Sequence, residues 1–198
     1  MKKHVFRLFL LDHCIYRLWR IVRWFQRRAE SWSNRRLMSQ LASCGKGVGF
    51  YGRIVIHSPK NVVIGNNVHI GDNAWIQGNG GLTVGDNCHI SRNFVLYTAN
   101  HCYEGDRIPY DEQLVKKPVV IGRNVWIGMN VCIAPGTKIG DGAIIGMGTV
   151  VSGDVPSRSI IGSEKWRILG YRDKDEYDKL DKNQEYGGPG GIPFHADA

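Results

Sequence analysis

Residues 97–107 read YTANHCYEGDR and set His101 beside Cys102, a few residues ahead of the carboxylates Glu104, Asp106 and Asp111. An imidazole has an ordinary pKa of about 6.5, so near neutral pH it is partly or mostly uncharged and can take the proton of a hydroxyl, which by itself is a poor nucleophile. His101 is therefore a candidate general base. One of the three carboxylates or a backbone carbonyl would orient it. A Cys102–His101 nucleophile pair is not expected, because adjacent residues of an extended chain point to opposite sides. The five cysteines (14, 44, 88, 102 and 132) are scattered, odd in number and lack CxxC spacing, so neither a disulfide framework nor a zinc site is indicated.

The elements that must position His101 are written in the region from about 46 to 162. An aliphatic residue returns every six positions, at Ile64, Ile70, Ile76; Val84, Ile90, Leu96; Ile121, Ile127, Ile133; and Ile139, Ile145, Val151. Small or apolar residues recur four places later, among them Val68, Ala74, Cys88, Val125, Val131, Thr137, Ala143, Thr149 and Val155. A helix has no period of six, and a hairpin sheet alternates by two without glycine at fixed phase. Three hexads forming one triangular turn of a coil satisfy both constraints. The aliphatics then stack inward as ladders, and Gly and Asn take corners that need positive φ. The phase breaks twice: Ile76 to Val84 spans eight residues, and Leu96 to Ile121 spans 25. The second break is a long excursion, loop 100–118, with His101 at its start. Loops of this length inside a compact domain are commonly functional.

The coil also sets neighbours. Leu96 falls one turn beyond Ile76, so Gln77 and Asn79 in the enlarged QGNGGL corner are expected near Ala99, Asn100 and His101. Asn79 either offers its amide to a ligand or simply tolerates a left-handed corner. His69 and His89 fall in one column, but its next member is Trp126 and no third ligand follows, so no metal is expected.

Three domains are read: 1–45, a basic amphipathic helical segment; 46–162, the repeat; and 163–198, a C-terminal extension. In the last, the charged run RDKDEYDKLDKNQEY suits a solvated helix, and the Gly/Pro-rich tail suits disorder. The net charge of +8 lies wholly in the first segment, where residues 1–42 hold ten basic and two acidic groups against sixteen of each in the remainder. That segment has no proline, and its first glycine is Gly45. Leu8, Leu11, Ile15, Leu18, Val22, Phe25, Ala29 and Trp32 form one stripe at steps of three and four. A helix of this kind suits either the headgroup layer of a membrane, through residues 2–36, or packing on its own domain or in an oligomeric stalk. No base-reading motif accompanies the charge, so nucleic acid is not an expected partner. Arg and Asp break every apolar run near the start, which excludes a signal peptide and a spanning helix. A cytoplasmic location is expected, with the inner face of the cytoplasmic membrane as its extension.

Hexads of the type IGDNAWIQ, an NH at the start of an inserted loop, DRIPYDEQ leading to KPVVIG, and NVWIGMNVCIAPGTKIGDGAIIGMGTVVSGDVP together resemble the hexapeptide-repeat O-acetyltransferases. That group includes the maltose and galactoside acetyltransferases and enzymes acting on bacterial surface polysaccharides. The resemblance covers roughly 60–172. It implies a left-handed parallel β-helix, a homotrimer with sites between subunits, acetyl-CoA as donor and a sugar or polysaccharide acceptor. It implies His101 as the catalytic base, with backbone amides steadying the oxyanion. Gln77, Asn79, Asn100 and Trp126 then fall to the acceptor or acetyl pocket, although Trp126 equally suits a subunit interface. Gly128, Met129, Gly146, Met147 and Ser152 fall to acetyl-CoA. Two departures concern the donor: Ser152-Gly153-Asp154 lacks the lysine of a Thr-Lys-Asp pattern, and Gly162–Ile168 replaces GNPAKVI. Arg158, Lys165 or Arg167 would take over the phosphates, and Trp166 would stack on adenine. The rivals are a small soluble acceptor, such as an oligosaccharide or antibiotic, and a catalytically silent scaffold or sugar-binding protein.

Overall fold

The computed structural model describes residues 2–104, 106–163, 171, 173–183 and 185, with side chains from residue 15 onward. Two compact units divide at residue 163. The first holds the helix α1, Lys2–Met38, and a coil of about six turns whose strands stack in parallel on three faces.

Each face is built by the six-residue period. The first runs Ser43–Cys44, Val62–Ile64, Leu82–Val84, Val119–Ile121, Lys138–Ile139, Asp154–Val155. The second runs Gly49–Phe50, His69–Ile70, His89–Ile90, Trp126–Ile127, Ile144–Ile145, Ile160–Ile161. The third runs Ile54–His57, Ala74–Gln77, Val95–Tyr97, Cys132–Ile133, Val150–Val151. Registers such as Ile70↔Ile90, Ile90↔Ile127 and Ile127↔Ile145 superpose the aliphatics turn on turn. The result is a core in which Ile64, Ile70, Ile121, Ile127 and Ile145 are almost wholly buried. Truncating one, as in Ile127→Ala, removes its transfer energy and leaves a cavity between two ladder neighbours, at about 2–5 kcal/mol.

Two asparagine ladders hold the corners. Asn67, Asn87 and Asn124 have φ of 53, 59 and 58°, and each amide donates to the carbonyl oxygen of the next at 3.0 and 3.1 Å. Asn73, Asn93 and Asn130 repeat this at the next corner, at 3.0 and 2.8 Å. Asparagine suits the place because it accepts the left-handed conformation and its side chain can both donate and accept.

Two features depart from the sequence reading. A full turn, from Ser43 to His57, precedes Ile64, with Phe50 in place of an aliphatic. The last corner is shortened to Ser152-Gly153, Gly153 having φ 78°, so Val155 is not the small or apolar residue four places after a ladder position but itself the ladder partner of Ile139.

Among the described side chains, those of α1 that join the coil are at its C-terminal end. Buried Asn34 donates through Nδ2 to the backbone oxygens of Gly52 at 2.9 Å and Phe50 at 3.3 Å. Leu37, Met38 and Leu41 pack against the core. Packing on its own domain is therefore corrected for the rest of the described helix: Ile15, Leu18, Phe25 and Trp32 are all about 60% exposed. In the second unit Lys174–Lys182 forms α2, capped by the Asp173 carboxylate accepting from Glu176 N at 2.8 Å, and it buries no residue. Lys174 and Asp178 pair along its surface.

Candidate functional site

His101 owes its place to the corner where the period fails. Thr98, fully buried, donates its hydroxyl to Gln77 O at 2.7 Å and accepts from Gly80 N at 2.7 Å. Its backbone N donates to Gln77 O, and its O accepts from Lys117 N at 2.8 Å. Thr98 and Lys117 are thus the two feet of the loop, tied to each other and to the turn before. Gly80 is required here: a Cβ on it would stand 2.1 Å from Thr98 O. From these feet Ala99–His101 and Leu114–Lys116 rise as an antiparallel pair, with His101 opposite Leu114.

The imidazole is clamped. Its ring stacks on Tyr110 at a centroid distance of 4.1 Å and an interplanar angle of 20°. Nδ1 lies 3.3 Å from the backbone oxygen of Asp111. A carbonyl only accepts, so the proton sits on Nδ1 and the lone pair on Nε2. Among the described residues no carboxylate is hydrogen-bonded to the ring. Asp111 is buried with its Oδ1 accepting from Gln113 N at 2.8 Å, and Glu112 pairs with Arg107 at 2.8 Å. His101 opens on a cleft of about 210 Å³ walled by Asn100, Tyr103, Glu104, Val115 and Lys117. A base in the wall of a cleft of this size, beside the Lys117 cation, can deprotonate a bound hydroxyl.

Gln77 lies where expected, one strand from Tyr97 at the root of the loop. Asn79 does not serve the loop. Its Oδ1 accepts from Ser58 Oγ at 3.2 Å and its backbone oxygen accepts from Asn61 Nδ2 at 3.3 Å, both on the preceding turn. Nor does it take the left-handed corner, which falls to Gly81 at φ 100°.

Gly128-Met129 and Gly146-Met147 stack at the corner between the second and third faces, with Gly128 N donating to Ile145 O and Gly148 N to Met129 O, both at 2.8 Å. At comparable corner positions the next turn supplies a side-chain acceptor: Asp86 Oδ1 takes Asn66 N at 2.6 Å, and Asp141 Oδ1 takes Arg123 N at 2.8 Å. Above Met129 stands Met147, which offers no oxygen, so among the described residues the Met129 N–H has no acceptor. Both methionines are exposed. An apolar surface with an open backbone amide fits a pantetheine-like arm, which carries amide carbonyls on an aliphatic chain.

The remaining candidates are spread out. Ser152 occupies the corner between third and first faces, and Arg158, φ 63°, the one between first and second, its N donating to Asp141 O at 2.8 Å. Lys165, Trp166 and Arg167 lie outside the described residues. Trp126, 57% exposed, stands on the second face between His89 and Ile144. The loop of His101 leaves between the third and first faces, so one chain does not bring His101 together with Trp126 or the methionine corner.

His69 is engaged at both ring nitrogens. Its Nε2 lies 3.0 Å from Asn67 Oδ1, whose own amide donates onward, and its Nδ1 lies 3.0 Å from the Tyr51 hydroxyl. Among the described residues no group of three His, Cys, Asp or Glu is placed to hold a metal ion. Burial pushes the Cys88 thiol up, while the Arg123 backbone N–H, then its guanidinium, hold the Asp141 carboxyl below the usual range. Sequence reasoning missed Thr98, Tyr110 and Lys117. All three sat in quoted motifs, Thr98 in YTANHCYEGDR, Tyr110 in DRIPYDEQ and Lys117 at the head of KPVVIG, but nothing in those motifs marked them as supports.

Residues 118–153 match the family Bacterial transferase hexapeptide (six repeats), and residues 61–98 match Hexapeptide repeat of succinyl-transferase. Among solved structures, a hexapeptide-repeat acetyltransferase of Vibrio cholerae is 27% identical over 71% of this chain and 80% of its own, with a TM-score of 0.62; it is also known complexed with acetyl coenzyme A. A maltose O-acetyltransferase of Clostridium difficile is 30% identical over 64% of this chain and 67% of its own, TM-score 0.58. A galactoside acetyltransferase in complex with coenzyme A is 25% identical over 81% and 76%, TM-score 0.55.

Proposed function

The chain belongs to the hexapeptide-repeat acetyltransferases, and on that premise we propose that it transfers an acetyl group from acetyl-CoA to a sugar hydroxyl, with His101 as general base. The acceptor we infer is a surface polysaccharide or its lipid-linked precursor. The observation that carries the reading is the clamped imidazole in the wall of the cleft: Nδ1 against the Asp111 carbonyl and the ring on Tyr110.

In the step, Nε2 takes the hydroxyl proton as the oxygen attacks the thioester carbon. The tetrahedral intermediate collapses with loss of the C–S bond, and the proton passes from Nε2 to the departing thiolate. The products are an acetyl ester and free CoA thiol. Backbone amides stabilise the oxyanion in this reading. Gln77 and Asn100, near the root of the loop and in the cleft wall, are the acceptor-side residues; Asn79 turns its oxygens to the preceding turn and keeps only its amide N–H groups for an acceptor.

The donor lies along the Met129/Met147 corner, and its phosphates fall to Arg158, Lys165 or Arg167. That corner and the His101 loop stand on different edges of one coil, so the reading requires a second copy to bring them together, as in a homotrimer.

The test is thiol release from acetyl-CoA against a panel of mono-, oligo- and lipid-linked saccharides, with products identified by mass spectrometry. An acetyl group that mild alkali removes marks an ester and supports the reading. An alkali-stable amide, or no acetylated carbohydrate from any acceptor, rejects it.

A further inference from the structure

On α1 the residues Ile15, Leu18, Val22, Phe25, Ala29 and Trp32 succeed one another at steps of three and four, and the five large ones are 46–62% exposed. A stripe of this kind is apolar surface that folding of the chain has not removed from water. The rest of the helix is cationic: between residues 15 and 38 stand seven arginines, all but Arg36 off the stripe, against one acid, Glu30. Guanidinium and indole meet repeatedly, Arg23 over Trp19 at 5.2 Å, Arg28 over Trp24 at 5.1 Å and Arg36 over Trp32 at 5.7 Å. Such pairs hold a charge and a ring together where one side is wet and the other apolar.

We propose that α1 is a docking element for a bilayer rich in anionic phospholipid, lying in the headgroup layer with the Ile15–Trp32 stripe turned to the acyl chains and the arginines to lipid phosphates. No helix among the described residues is long and apolar enough to cross a membrane, so α1 lies on the surface. A second copy is the other occupant of a stripe with this spacing. Parallel copies would gather seven arginines per chain against one glutamate each, and Arg28 and Arg35 beside the seam would meet no acid. The charge therefore finds its complement in lipid and not in another α1. Asn34 fixes the end of α1 to the Phe50 and Gly52 carbonyls, so docking holds the first turn of the coil close to the lipid. The proposal does not depend on acetyl transfer.

The test is co-sedimentation of the full chain with vesicles of phosphatidylcholine alone and of phosphatidylcholine mixed with phosphatidylglycerol, at near-physiological and high salt. Binding is expected to the mixed vesicles and to fall at least tenfold on neutral ones or in high salt. Arg17→Gln/Arg20→Gln/Arg23→Gln should lose on the order of 100-fold, about fivefold for each arginine. Leu18→Ser/Phe25→Ser should lose at least tenfold while the thermal midpoint holds, since both side chains are exposed. A wild-type chain that stays in the supernatant overturns the proposal, as does equal binding by all three proteins. Absence of vesicle binding together with a stripe variant that dissociates the oligomer in sedimentation velocity assigns the face to a second copy. Absence of vesicle binding with retention on duplex DNA assigns it to nucleic acid.

Discussion

The Nδ1 of His101 lies 3.3 Å from the backbone oxygen of Asp111, ten residues further along the chain, while the ring lies flat on Tyr110 next door. A backbone acceptor fixes the tautomer without adding charge, and Tyr110 fixes the plane. Tyr110→Ala should therefore lower kcat about tenfold to 100-fold through loss of orientation, leaving the acetyl-CoA KM near its original value. Tyr110→Phe should restore most of the rate, since the stacking needs a ring and not its hydroxyl. Steady-state kinetics on the pair checks this.

Thr98 ties the loop to the turn before it through two 2.7 Å hydrogen bonds made by one buried hydroxyl. Thr98→Val keeps the shape and leaves Gly80 N without its acceptor, which costs about 1–3 kcal/mol. A lowered thermal midpoint with a proportionally larger loss in kcat is expected, because the shift is felt first where the loop carries His101. Calorimetry and kinetics on one preparation measure both.

At the Met129/Met147 corner, Met147→Asp installs the acceptor that Asp86 and Asp141 provide elsewhere. It should cap Met129 N–H, keep or raise the thermal midpoint, and raise the acetyl-CoA KM about tenfold, since one hydrogen bond and an apolar contact to the donor are lost. Stability and donor affinity thus move apart, which general damage to the corner cannot reproduce.

Asp141 gives the pH prediction. Its folded carboxyl titrates below the ordinary value of 3.8, chiefly because it accepts the Arg123 backbone N–H and then the guanidinium. A depressed folded pKa means that the stabilisation is fully present above the unfolded value and is lost as pH falls through the folded one. Wild type should exceed Asp141→Asn in thermal midpoint at neutral pH, and the difference should close under acid conditions below pH 3.8. A difference constant across that range contradicts it.

The coil was legible because three signals agreed: aliphatics six apart, small residues four later, and Asn or Gly at the corners. The ladder of the first turn was not, since Gly49-Phe50 replaces the Ile-Gly phase; nor was the tight corner at Gly153, whose loss of two residues is hidden because Val155 also suits the place four after Val151. His101 stood out because the period fails beside it. Its supports did not, because Thr98, Tyr110 and the Asp111 carbonyl act through tertiary contact in a loop with no repeat. Of the two roles open to Asn79, the left-handed corner is excluded for the same reason: in the enlarged corner that residue is Gly81, two places on.

The measurement closest to the central claim is thiol release from acetyl-CoA, with carbohydrate acceptor, by wild type and His101→Ala. The clamped base predicts a fall of roughly 10²- to 10⁴-fold in kcat, an acetyl-CoA KM within a few fold and an unchanged thermal midpoint. Turnover surviving the substitution within a few fold would contradict it.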